Sequence, residues 1–469
     1  MGTEKSMTVE TATTGASAID RARIAALTER EMAKLAERTP ASKQRYERAV
    51  KVMPNGVPSS FQVNDPWPVY VERGAGTRVW DVDGHEYVDF HNGFGVMCIG
   101  HANPTVGAAV KARVDLGTHF AAPTDGSIVV AEELSRRFGL PQWRFTNSGT
   151  ESTMAAIHLA RGATGRDVIL KIEGSYHGHH DTVMVSVYPE LEELGDRDNP
   201  NSVPYGAGYP RALSELTHVV PFNDAEALES ILDRLEGQVA GLIMEPAMMN
   251  INIIPPVEGY LERVRELTAE HGAKLIFDEV KTGATISYGG ATKRFGVTPD
   301  IVTLAKAICG GYPGGAIGMS DEIAELVATG KVHQYGTFNG NPLVMAASVA
   351  TLTEVLTEDA YPKLEATNEK LKAGCQEIID RYGLPAYTEG MGAKGCVVFA
   401  PEPLREYRDY LTKVDADLAT LAWLYHMNHG IFMTPGVEEE WTLSLAHSDQ
   451  DLERYVSAFE AFAKDVTAG

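Results

Sequence analysis

Four short stretches hold residues whose chemistry is out of keeping with an ordinary core. Lys306, in IVTLAKAICGGYPGGAIG (301–318), follows an apolar run and precedes a cluster of glycines. An ammonium placed there is costly unless it is paired, neutralised or chemically used. Asp278, in LIFDEVKTG, occupies the equivalent place at the end of an earlier apolar run, where a carboxylate calls for a cationic partner. Lys306 itself would serve as that partner, and Glu245 in LIMEPA invites the same structural reading. FTNSGTES (145–152) leads from a further apolar run into a helical pattern. Its Ser148 and Glu151 have the spacing of a capping box, and the N–H groups of Gly149 and Thr150 suit either a well-capped helix or a phosphate site. IEGSYHGHHD (172–181) sets His177, His179, His180 and Asp181 close together. Adjacent histidines point apart, which disfavours a metal. A ring face offered by Tyr176 or His177 to a flat ligand is the better reading.

The elements that must position these groups alternate. Between about 126 and 320, helical segments such as ESTMAAIHLARGA and VEGYLERVRELTAEHG, with Gly272 as its stop, separate short apolar strands. The expected strands are 143–146, 167–172, 239–244, 273–278, 301–305 and 315–319. This is the pattern of an α/β protein with a mainly parallel sheet covered by helices on both faces. Such sheets bind ligands beyond the carboxyl ends of their strands. A strand-end acid, a strand-end lysine and an anion-binding helix start would then share one end. That set matches the needs of pyridoxal 5'-phosphate (PLP): an amine for a Schiff base, an acid for the pyridine nitrogen, and a phosphate cradle.

Four regions are expected along the chain. Residues 1–19 form a disordered polar tail without the apolar core of a signal peptide. Residues 20–95 contain helix, a turn-rich loop and short strands packing with the small domain. Residues 96–335 form the large cofactor-binding domain, and 336–469 a smaller C-terminal α/β domain. The stretch 186–217 reads equally as a lid or as a disordered insertion. A formal net charge of -23 argues against nucleic-acid or anionic-membrane partners, and no apolar run is long enough to span a bilayer. Four scattered cysteines suggest reduced thiols and a cytoplasmic protein.

The motifs NSGTE, SYHGHHD, EPAMMN, FDEVKTG, DIVTLAKAICGGYPGGAIG and GTFNGNP, in this order, resemble those of class III (fold type I) PLP-dependent aminotransferases. The similarity is greatest to the glutamate-1-semialdehyde 2,1-aminomutase-like branch. The resemblance implies Lys306 as the Schiff-base lysine and Asp278 as partner of the pyridine nitrogen. It also implies Ser148, Gly149 and Thr150 on the phosphate, Tyr176 stacked on one ring face with Val280 on the other, and Glu245 and Asn250 near the ring substituents. Thr337 would reach the phosphate of a neighbouring subunit, implying a homodimer with shared active sites. No metal is implied, so the remaining reading from another class is a non-catalytic zinc-binding or scaffold protein using HGHHD.

Three departures weaken the aminomutase reading. Gln62 in NGVPSSFQV stands where the mutase pattern has an arginine for the substrate carboxylate, and an amide is no equivalent of a guanidinium fork. The mutase stretch AYGG is AIGM here, and DEVMTGFR is DEVKTGATIS, which introduces Lys281. Lys281 is a candidate partner for an acceptor carboxylate, although a solvated surface lysine is the preferred reading. The expected activity is intermolecular transfer of an amino group from an amine, β-amino acid or ω-amino compound to a keto acid or other carbonyl. An intramolecular aminomutase is the alternative. Racemases, decarboxylases and lyases using the same cofactor stay open.

Overall fold

The computed structural model describes residues 19–436 and 440–468. The tail expected over 1–19 therefore lies outside the described residues except for its last member. Seven strands form the central sheet, in the order Gln142–Thr146, Gly315–Met319, Ile301–Ala305, Lys274–Asp278, Val239–Met244, Val168–Ile172, Thr217–Val220. Gly315–Met319 runs antiparallel to both of its neighbours, and the other four pairings are parallel. Six carboxyl ends therefore lie together. Sequence patterning misses one strand, Thr217–Val220, because THVV is short and half polar and follows the long insertion.

Successive residues of the inner strands feed different cores. Ile276 packs with Ile243, Ile301 and Ala156 in one cluster, whereas Leu275 and Phe277 belong to the other with Leu242 and Val302. Both faces are dry, which is why these strands read as continuous apolar runs rather than as alternating ones. The Gly149–Thr164 helix lies on the sheet over Ile301–Ala305, Gly315–Met319 and Val239–Met244. The Tyr260–Glu270 helix ends just before Gly272, which takes a left-handed φ of 63°.

The segment 186–217 is built rather than loose. A two-strand ribbon pairs Gly195–Asp196 with Asn199–Pro200, Val185 bridges to Pro204, and Arg197 reaches Asp224 and Glu406. Nearer the N-terminus, Val71–Ala75, Arg78–Asp81 and Glu86–Asp89 form an antiparallel meander, and Ile431–Phe432 adds to it in parallel. A three-stranded sheet joins Tyr387–Met391, Lys394–Val398 and Glu440–Thr442. All four cysteines are buried. No helix among the described residues is long and apolar enough to cross a membrane.

Candidate active site

Lys306 follows directly on Ile301–Ala305 and adopts a φ of 52°. A lysine in the left-handed region is strained and persists only where its surroundings over-determine it. Lys306 is half-buried as a residue, and its side chain makes no hydrogen bond or ion pair among the described residues. Burial pulls its amine down to about 7, and the nearby ammoniums of Lys281 and Lys394 add to the effect. Near neutrality a substantial fraction of it is therefore the free base.

Asp278 ends the adjacent strand, in register with Thr303. The structure does not pair it with Lys306. Its Oδ2 lies 2.8 Å from Nδ1 of buried His177, and its Oδ1 accepts from the Val280 N–H at 3.0 Å and the Thr303 hydroxyl at 3.4 Å. His177 thus meets the carboxylate edge-on and presents no open ring face, whereas Tyr176 is 38% exposed. The remaining histidines diverge: His180 faces the Thr153 hydroxyl and His179 lies near Tyr209. Among the described residues no cluster could hold a metal.

Glu245 serves as a loop anchor rather than half of an ion pair. It accepts the Tyr176 and Met249 N–H groups at 3.2 and 2.9 Å and bonds the Asn250 side chain. Lys171, unremarked in the sequence, does similar work from Val168–Ile172. Its Nζ donates to the Ser175 and Val185 carbonyls at 2.8 and 2.6 Å, which fixes the turn carrying Tyr176 and His177.

Opposite these groups the Gly149–Thr164 helix begins. Ser148 caps it by accepting the Glu151 N–H, while the Glu151 carboxylate reaches one residue beyond the capping-box position, to the Asn147 N–H. A Cβ on Gly149 would lie 3.0 Å from Val280 and 3.6 Å from Ala305. The helix start therefore adjoins both strand ends, and only glycine leaves the space between them open. The amides of the first helical turn have no intrahelical acceptor. His179 N–H donates to the Thr150 hydroxyl at 3.0 Å. Lysine amine, carboxylate, exposed tyrosine ring, Val280 and a helix start with a Cβ-free cradle together fit PLP.

The structure corrects one expectation. Lys281 is not a solvated surface residue: it is 6% exposed, donates to the Met249 carbonyl at 2.5 Å and lies 3.4 Å from Glu440. Glu440 also binds Lys394, which is wholly buried. Burial opposes ionisation of Glu440, but the two ammoniums outweigh it and hold its carboxyl below the usual range. Sequence reasoning missed Lys394 and Glu440 because they come from the small C-terminal sheet, more than 100 residues from Lys281, and no local pattern marks them.

Gln62 lines a cavity of about 480 Å³ with Val57, Phe61, His91, Phe94 and Trp423. Its Oε1 is buried without a hydrogen-bond partner. Phe94, in the wall of this cavity, also has the Lys281 Nζ 6.0 Å from its ring centroid. Thr337 lies two residues before Asn339, whose Oδ1 accepts from the Asn147 side chain beside the helix start at 2.9 Å. It is exposed on a loop with Tyr335 and Phe338, which are 84% and 56% exposed.

Comparison with known proteins agrees with this geometry. The model for "Aminotransferase class-III" matches residues 60–417. A glutamate-1-semialdehyde 2,1-aminomutase from Natranaerobius thermophilus is 36% identical over 422 residues, spanning 89% of this chain and 96% of its own. An omega-transaminase from Sphaerobacter thermophilus superposes with a TM-score of 0.87 at 34% identity, covering 91% of this chain and 98% of that one. A glutamate-1-semialdehyde aminomutase from Pseudomonas aeruginosa, solved with PMP, gives 0.88 at 30% identity, with 96% and 99% covered. The strand-end lysine, its neighbouring carboxylate and the open helix start thus stand in a chain that belongs to the class-III aminotransferases, PLP-dependent enzymes of fold type I.

Proposed function

We propose that the chain is an intermolecular aminotransferase that takes its amino group from an amine, a β-amino acid or an ω-amino compound. The observation that carries this reading is Gln62, an uncharged amide with a buried, unpartnered Oε1 in a largely apolar wall. The resemblance places there the arginine that would bind a semialdehyde's carboxylate. Bound PLP supplies an aldehyde for the incoming amino group and a pyridinium that spreads negative charge from the carbon losing its proton. Lys306 Nζ holds the cofactor at rest and, once released, accepts that proton. Asp278, oriented by His177, faces the pyridine nitrogen. Ser148, Gly149 and Thr150 hold the phosphate, Tyr176 and Val280 flank the ring, and Glu245 and Asn250 support its edge. Thr337 completes the phosphate site of a second copy in a homodimer, which the exposed Tyr335 and Phe338 beside it support.

The second reading is the aminomutase, favoured by the 36% identity to a relative so named across 96% of that relative's length. A half-reaction screen separates the two. Purified yellow protein is mixed with a panel of amines and α-, β- and ω-amino acids, and bleaching of the visible band is followed. Bleaching by amines or β-amino acids, with turnover only when a carbonyl acceptor is added, is expected. Turnover of glutamate-1-semialdehyde without added acceptor would establish the mutase instead.

A further inference from the structure

Four consecutive residues from far along the chain grip the turn that leads to Tyr176 and the insertion that follows it. The segment 405–408 comes after the Lys394–Val398 strand of the small sheet and runs into the Tyr407–Lys413 helix. The Arg405 carbonyl accepts from the Asn223 side chain at 3.0 Å, and Glu406 pairs with Arg197 of the two-strand ribbon. The Tyr407 hydroxyl donates to the Pro189 carbonyl at 2.9 Å, and its ring occupies the space beside Gly174, where a Cβ would lie 2.2 Å from it. Gly174 has a left-handed φ of 76° and donates its N–H to the Ser186 carbonyl at 2.9 Å, so only glycine fits there. Arg408 forks onto Glu173, 235 residues away: its Nε and Nη2 donate to the two carboxylate oxygens at 3.0 and 3.2 Å, and its Nη1 to the Gly195 carbonyl at 3.0 Å. Glu173 is 1% exposed and directly follows the Val168–Ile172 strand. A bidentate guanidinium fixes orientation as well as charge, and a buried carboxylate stripped of its partner is costly.

We propose that Arg408 and Tyr407 are positioning residues for Tyr176: clamped on Glu173 and Gly174, they set the direction in which Ser175, Tyr176 and His177 leave the large sheet. Tyr176 is three residues beyond Glu173, and the Ser175 N–H donates to the Ile172 carbonyl at 3.2 Å, which closes the turn between them. A tilt at Glu173 therefore carries over to Tyr176 and to the His177 ring that meets Asp278. The same turn is held from the large sheet by Lys171 on the Ser175 carbonyl and by Glu245 on the Tyr176 N–H. The segment 405–408 makes it answer to the small sheet as well, so Tyr176 takes its place once both parts of the chain are docked. An ion pair that only joined the two parts could stand anywhere along their contact, whereas this one ends a strand just before the tyrosine.

This inference rests on the reading of Tyr176 as a ring-face residue, and one set of variants tests the two apart. Apoprotein is titrated with pyridoxal 5'-phosphate to measure affinity, and the visible circular dichroism of the holoenzyme reports how the bound ring is held. Arg408→Leu and Glu173→Gln should weaken cofactor binding about tenfold and roughly halve the dichroic band, with kcat down about tenfold and the donor KM within about twofold of native. Arg408→Lys, which keeps the charge without the fork, and Tyr407→Leu, which empties the space beside Gly174, should weaken binding about threefold. These milder variants keep the test open if Arg408→Leu folds poorly. Native affinity and dichroism in the Arg408, Glu173 and Tyr407 variants, with thermal stability alone lowered, would make the clamp a structural strut and overturn the inference. An unaffected Tyr176→Ala overturns the ring-face reading and the inference with it. Weakened binding and dichroism in Tyr176→Ala beside unmoved clamp variants remove the role of the clamp alone.

Discussion

Two lysines in the same sheet make an instructive pair. Burial pulls both Lys171, on the Val168–Ile172 strand, and Lys306, just past Ile301–Ala305, to about 7. Lys171 is wholly buried within its strand, with two carbonyls as acceptors. Lys306 has a left-handed backbone, is only half-buried as a residue and has no hydrogen-bonded partner among the described residues. Desolvation alone therefore does not identify a reactive amine. What distinguishes Lys306 is strain in the chain that carries it, combined with the absence of an internal acceptor for its proton.

The largest effect should come from Lys306→Ala. Transamination is expected to fall by at least about a thousandfold with loss of the yellow colour, and a colourless variant with full activity would end the distinction. Lys171→Met should leave the colour in place but cost about 1–3 kcal/mol of stability, because the Ser175 and Val185 carbonyls lose their donor. Denaturant unfolding measures this. The pH dependence sharpens the contrast. A buried lysine pulled from 10.5 to about 7 binds fewer protons folded than unfolded across that window, so its unfavourable contribution fades as pH rises from about 7 towards 10.5. The native protein should gain stability over that range relative to Lys171→Met, and parallel curves would place the charge of Lys171 elsewhere. For Lys306 the corresponding readout is kinetic: the half-reaction should accelerate about tenfold per pH unit below 7 and level off above it. The smallest change expected is in Gln62→Arg, with KM falling about tenfold for carboxylate-bearing donors. Unchanged KM values across such donors would remove Gln62 from the substrate pocket.

Much of the fold can be read from the sequence because strands buried on both faces appear as unbroken apolar runs. Val239–Met244, Ile301–Ala305 and Gly315–Met319 have the boundaries that their residues predict. The chemistry at Lys306 and Asp278 is legible for the same reason, since a polar residue that ends an apolar run is conspicuous. Lys281 is not legible in this way. Whether a lysine in a turn is solvated or buried depends on its counter-ion, and Glu440 is 159 residues away. Lys171 is hidden by its position inside a strand whose pattern tolerates it. Thr217–Val220 escapes because its half-polar face reads as the end of a loop.

The reversed strand Gly315–Met319 has a consequence for how the protein is made. It stands between Gln142–Thr146 and Ile301–Ala305, so the strand that leads into the helix start at Gly149 joins the sheet only once residue 319 has been synthesised. Glu440 arrives later still. Cofactor capture should therefore be a late event in biogenesis. Ribosome-bound chains stalled before residue 315 are expected to acquire no visible band in the presence of pyridoxal phosphate, whereas released full-length chains acquire it.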